Sequence, residues 1–166
     1  MIDWVLVSLR TGTTPDTEFR QAAGLVHTDG TVTFIEPCIL TEDDPTAIYI
    51  LVEHRNHMGI MTPNPIVVAN KSLTWDFTAQ QSYVGIAGFG SKEIMPNIYA
   101  MYAGDNAQGS DSPSYDINGL DKILWTSENG NFDQYLPSDF NMNGDVNGAD
   151  KILWSINNGT SSRVPK

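Results

Sequence analysis

The chain has 166 residues, 40% of them hydrophobic, with 20 acidic against 9 basic side chains and a net charge of −11. That length suits one medium domain or two small ones, and no run of 18 apolar residues is present to span a membrane. Phosphate binding needs clustered Lys and Arg, so the balance argues against a nucleic-acid partner; acid of this kind serves solubility or holds cations.

Residues 1–78 read as all-β. "IDWVLVSL" alternates, with Ile2, Trp4 and Leu6 on one face and Val5 and Val7 on the other. "LVHTDGTVTFI" holds two β-rich runs joined by Asp29-Gly30, which favours a type I′ hairpin turn. "AIYILVEHR", "PIVVAN" and "SLTWDFTA" read as further strands, the last two separated by a polar break at Asn70-Lys71. Short strands at this spacing predict a β-sandwich. Cys38, the single cysteine, sits among apolar residues and reads as a small buried hydrophobe. His54 and His57 would face opposite sides on a strand, which argues against a shared metal, and they read as a structural turn. "GIAGFG" lacks the Lys-Ser/Thr and the helix of a phosphate loop. No nucleophile–base ordering, catalytic carboxylate pair or zinc spacing stands out.

After a Gly-rich connector from Ala79, the composition shifts to Asp, Asn, Gly and Ser. We place two units, 1–95 and 96–166. The second contains an internal repeat: "DKILW" begins at Asp121 and again at Asp150, 29 residues later. Apolar residues in the second copy, Ala149, Ile152, Leu153 and Ile156, have helical spacing; Leu120, Ile123 and Leu124 do so in the first. Asn129-Gly130 and Asn158-Gly159 supply the left-handed stop after each helix.

Before the second helix, oxygen-bearing side chains recur at every second residue. With Asp139 as position 1, Asn141, Asn143, Asp145 and Asn147 fall at 3, 5, 7 and 9, and Asp150 at 12, with Gly144 at 6. This is the spacing of an EF-hand-type calcium loop: the chain winds round the ion, Gly permits the sharp turn, and position 7 gives its main-chain carbonyl. Position 12 is Asp where that pattern has Glu.

These residues, in two copies each followed by one helix, resemble the type I dockerin repeat. With "DWVLVSLR", "VEHRNHMGIMT" and "YAGD", the chain looks like the C-terminal region of large secreted or surface proteins of Bacteroidetes, where an immunoglobulin-like sandwich precedes a dockerin-like tail. The resemblance implies an all-β sandwich followed by a small α domain of two calcium loop–helix repeats, one or two Ca2+ ions, and no catalysis.

The first copy departs from the pattern. Asp121, Asn118 and Asp116 take positions 12, 9 and 7, but position 6 is Tyr115. Asp105 is the candidate for position 1, which makes the loop 17 residues long, with Asp111 as a further candidate ligand or the site degraded. Ile117 and Val146, at position 8, are expected to bridge the two loops, with Ile123, Leu124, Ile152 and Leu153 forming a core between antiparallel helices. Trp125 and Trp154, with Lys122 and Lys151 beside them, are either that core or a partner-facing surface. The implied function is attachment to a protein partner, cohesin-like or a neighbouring domain. The alternatives are a module that binds polysaccharide through Trp4, Trp75, Tyr83 or Phe89, and a structural cap aiding export.

Overall fold

Side-chain alternation decides the first element. In β1 (Asp3–Arg10), Val5, Val7 and Leu9 point to one face and Ser8 and Arg10 to the other, and all five are buried, so the strand is covered on both sides. The computed structural model describes residues 3–36, 38–86, 88–106 and 114–166. It places β1 between β2 (Glu18–Val26) and β4 (Ala47–Glu53), antiparallel to both. β3 (Val32–Phe34) lies outside β2, β5 (Ile60–Met61) pairs with the end of β4, and β6 (Ile66–Val67) with its start. A hairpin of β7 (Lys92–Met95) and β8 (Ile98–Ala100) follows, then two helices, α1 (Gly119–Glu128) and α2 (Gly148–Asn157). The architecture is mostly β with two short helices.

Each face of the sheet has its own core. Val5, Val7, Leu9, Ile48 and Ile50 pack with Leu40 and the half-buried Val68, Leu73, Trp75 and Phe77, all four from chain outside the strands. On the other face Leu51 and Met61 pack with Met58, Tyr115 and Val164. The second face is therefore covered by the loop before α1 and by the C-terminal segment. Ser162 donates its N–H to the Tyr115 carbonyl at 2.8 Å, and Arg10 donates to the Pro165 carbonyl at 2.9 Å.

Several local expectations are corrected. Asp29-Gly30 does sit in the β2–β3 hairpin, but Val26 pairs with Val32, so the loop is longer than two residues, and only Gly30 of the two has positive φ. The turn with both central residues left-handed is Asn70-Lys71, closed by reciprocal bonds between Ala69 and Ser72. "SLTWDFTA" is not a strand. In the β7–β8 turn, Asn97 at φ 62° donates its N–H to Glu93 Oε1. His54 and His57 do lie in a turn, just after β4, but their Nδ1 atoms come within 3.1 Å of each other rather than facing apart, because the strand ends at Glu53.

Candidate metal centre

The second loop closes through its own side chains. The Asp139 carboxylate accepts the N–H groups of Asn143 (3.0 Å) and Gly144 (2.9 Å). Asp150 accepts those of Asn141 (3.1 Å) and Asn147 (2.9 Å), so positions 1 and 12 each gather two backbone donors. Asn141 Oδ1 accepts from Asn143, and Asn143 Oδ1 from Asp145. Gly144 takes φ 92°, the left-handed turn that position 6 requires. The Asp145 carboxylate instead accepts the N–H of Asp133, outside the loop. Asn147 caps α2 through Ala149 N–H, and Asp150 returns to Asn147 N–H, a complete capping box.

The first loop repeats this wiring despite its length. Asp105 accepts the Tyr115 N–H at 2.8 Å, as Asp139 accepts that of Gly144. Asp121 accepts from Asn106 (2.9 Å) and Asn118 (2.7 Å), matching Asp150 with Asn141 and Asn147. Tyr115 adopts φ 59°, so the turn at position 6 is retained without glycine. Asp116 is exposed and accepts from the Ser161 hydroxyl. Asp111 lies outside the described residues.

Asp105, Asp121, Asp139 and Asp150 are all 2% exposed or less, yet none makes an ion pair among the described residues. Buried carboxylates normally have a cationic partner or lose their charge. Burial first, and then the charge of Asp105, push the Asp121 carboxyl up to about 7, and burial raises Asp105 as well. The Asn106 amide oxygen, fully buried, has no donor among the described residues. A bound cation would relieve both conditions. Among the described residues no group of three or more His, Cys, Asp or Glu clusters as a metal site. Each loop instead offers two buried carboxylates with amide and main-chain oxygens, a hard donor set that suits calcium rather than zinc. Sequence reasoning missed Asn106 and Ser114. Ser114 stands two residues before Asp116, at position 5, and donates its hydroxyl to Asp105 at 2.8 Å.

The two repeats are related by a crossed exchange of contacts. Trp125 Nε1 donates to the Asn147 carbonyl (3.1 Å) and Trp154 Nε1 to that of Asn118 (2.8 Å), each reaching position 9 of the other loop. Val146 bonds to Gly130 and Asn131 after α1, and Ile117 to Gly159 and Thr160 after α2. Position 8 thus pairs with the chain leaving the other helix, not with the other loop as expected. Glu128 accepts the N–H of Ser138 just before loop two, and Asn157 donates to the carbonyl of Ala103 just before loop one.

The inward helix face differs from the one read from apolar spacing. Asp121, Leu124, Trp125 and Glu128 are buried or half-buried on α1, as are Asp150, Leu153, Trp154 and Asn157 on α2. Leu120, Ile123, Ile152 and Ile156 are all more than 60% exposed. The core between the repeats is Trp125, Phe140, Val146 and Ala103, with Leu136, Leu153 and Trp154 against it. The indoles are therefore inter-repeat contacts rather than an outward partner face, and Lys122 and Lys151 lie over the rings of Trp154 and Trp125 at 5.5 and 5.4 Å.

The sheet reaches both loops. Asn56, fully buried, donates its side-chain N–H to the Asp139 carbonyl and accepts Gly104 N–H on its own carbonyl. The Tyr115 hydroxyl donates to Glu53, and Arg55 donates to the Leu136 carbonyl. Asp3 joins the same junction through Arg55 (2.9 Å), His54 (3.2 Å) and Tyr135 (2.6 Å). Of the aromatics proposed for sugar stacking, Trp75 and Tyr83 pack on opposite faces of the sheet and cannot share a platform.

No family model and no curated protein matches this sequence. Two solved structures are similar in fold. Both are type II cohesin–X–dockerin complexes from Acetivibrio cellulolyticus, one an N-terminal and the other a C-terminal interface mutant. Each superposes with a TM-score of 0.54 at 13% identity, over 95% and 94% of this chain and 82% of the matched chain. At that identity the likeness establishes the fold alone.

Proposed function

We propose that this chain is a calcium-binding, non-catalytic attachment module of a secreted or cell-surface protein. The observation that carries the reading is the set of four buried, unpaired carboxylates, two to a loop, with matching hydrogen bonds in both repeats. One ion in each loop would neutralise them, with Asp139, Asn141, Asn143, the Asp145 carbonyl and Asp150 as donors in the second. Asp105, Ser114, the Asp116 carbonyl and Asp121 would hold the first. Asn147 caps α2 and reaches an ion only through water. Likeness in fold to a chain of a cohesin–X–dockerin assembly supports the attachment role.

The outward rows Leu120, Ile123, Ile152 and Ile156, flanked by Lys122 and Lys151, are the partner surface under this reading. Exposed apolar side chains on two short helices offer contact area that no intramolecular packing uses. The partner is a protein, cohesin-like or a neighbouring domain. Calorimetric titration with calcium, followed by pull-down of surface proteins with and without chelator, tests the proposal. Two ions bound and a capture lost in chelator and in Ile152→Asp support it. Capture indifferent to both would leave only a structural cap.

A further inference from the structure

We propose that the sheet face opposite the repeats takes up an extended strand of a partner polypeptide, which pairs with residues 73–77 and seats alternate apolar side chains in the cavity beside them. This inference is independent of the calcium reading. A cavity of about 620 Å³ opens between the sheet and residues 71–78, walled by Val7, Leu9, Phe34, Ile50 and Trp75 among others. Its wall is strand-like without being a strand. Leu73, Trp75 and Phe77 are half-buried against the sheet while Thr74 and Asp76 are exposed, an alternation of period two. None of the backbone groups of residues 73–76 bonds to another backbone group among the described residues. The Trp75 indole Nε1 is shielded from solvent and has no acceptor there either.

Segments with this pattern ordinarily belong to a ladder, because extended backbone leaves its N–H and C=O groups in the plane of a sheet. An incoming strand would satisfy them by β-augmentation, with pockets for alternate side chains. A lipid or an apolar small molecule could fill the cavity but would leave that backbone unpaired. The sheet edge adjoining the cavity is also open: Val32, Phe34 and Ile35 are exposed apolar residues at and just after β3. With a net charge of −11, the chain favours a strand whose outward residues are basic.

The probe is a nonapeptide of alternating valine and lysine, titrated into the full chain and followed by amide NMR. The expected result is saturable shifts and slowed hydrogen exchange confined to residues 73–77 and to β3, lost when alternate peptide nitrogens are methylated. Thr74→Pro, a change at an exposed side chain, should weaken peptide binding at least about tenfold while the amide spectrum of the rest of the chain is unchanged. The proposal is overturned if saturating peptide leaves those amides unshifted or if the methylated peptide binds equally well. It also falls if a fatty acid displaces the peptide without loss of exchange protection, or if the same amides broaden with protein concentration alone, which would make a second copy the occupant.

Discussion

At the scale of single residues, positions 7 and 12 of the second loop have the same side chain and different jobs. Asp150 is fully buried and gathers two loop amides, whereas the Asp145 carboxylate bonds outside the loop to Asp133. Asp150→Ala should therefore weaken calcium binding at this site at least about tenfold, and Asp145→Ala by only a few-fold, by calorimetric titration. Equal losses would mean that position 7 contributes its carboxylate after all. Tyr115 shows the opposite economy. Its φ of 59° is a conformation that glycine adopts freely, yet its ring fills the second core and its hydroxyl reaches Glu53. Tyr115→Gly should relax the backbone by about 1 kcal/mol and lose about 3–5 kcal/mol of packing, a net fall in stability that thermal denaturation will read.

His57 supplies a pH dependence. Desolvation first, then the charges of His54 and Arg55, hold its imidazole down to about 3, against an ordinary value of 6.5. The ring is neutral in the fold while the unfolded chain takes up a proton. Stability that depends on the neutral ring is complete above pH 6.5 and is lost as pH falls from there toward 3, by up to about 1.4 kcal/mol per unit. Urea midpoints taken between about pH 7.5 and 5 should fall with that slope, and His57→Gln should flatten it. An undiminished slope in the variant would assign the effect to another group.

At the scale of elements, the helices turn a different face inward from the one their apolar residues mark. The Ala149, Ile152, Leu153, Ile156 pattern and the buried Asp150, Leu153, Trp154, Asn157 set differ in phase by about one residue, or about 100° of rotation. Position 12 decides the phase: a carboxylate that must reach back to its loop brings the residues at i+3, i+4 and i+7 inward with it. Leu153→Ala should then cost about 2–3 kcal/mol, while Ile152→Ala, at a side chain 63% exposed, should stay within about 0.5 kcal/mol. Chemical denaturation of the two variants in calcium checks this, and the reverse order would restore the apolar reading.

For the whole molecule, the contacts of Asn56, Tyr115 and Val164 join the sheet to both repeats. Removing calcium should therefore not unfold residues 105–160 and spare the sheet, as two separate units would predict. The expected outcome is one cooperative thermal transition with a lowered midpoint, seen alike in near-ultraviolet signals and in protection of β4 amides. Two resolved transitions would show that the junction does not couple the parts.

The sequence by itself determined the β1 and β4 strands, both helices with their glycine stops, and the twelve-residue spacing of the second loop. Each follows from near neighbours: alternation, capping, and ligand spacing along one segment. Tertiary structure alone decided that Ser114 and Tyr115 bond to Asp105, because seven residues, 107–113, separate them from Asn106 where a twelve-residue loop has two. It also decided that residues 73–76 stay without backbone partners among the described residues, since β propensity cannot create the strand beside them. The same holds for the inward tryptophans: their Nε1 groups find acceptors only on the other repeat, a partner that local sequence cannot name.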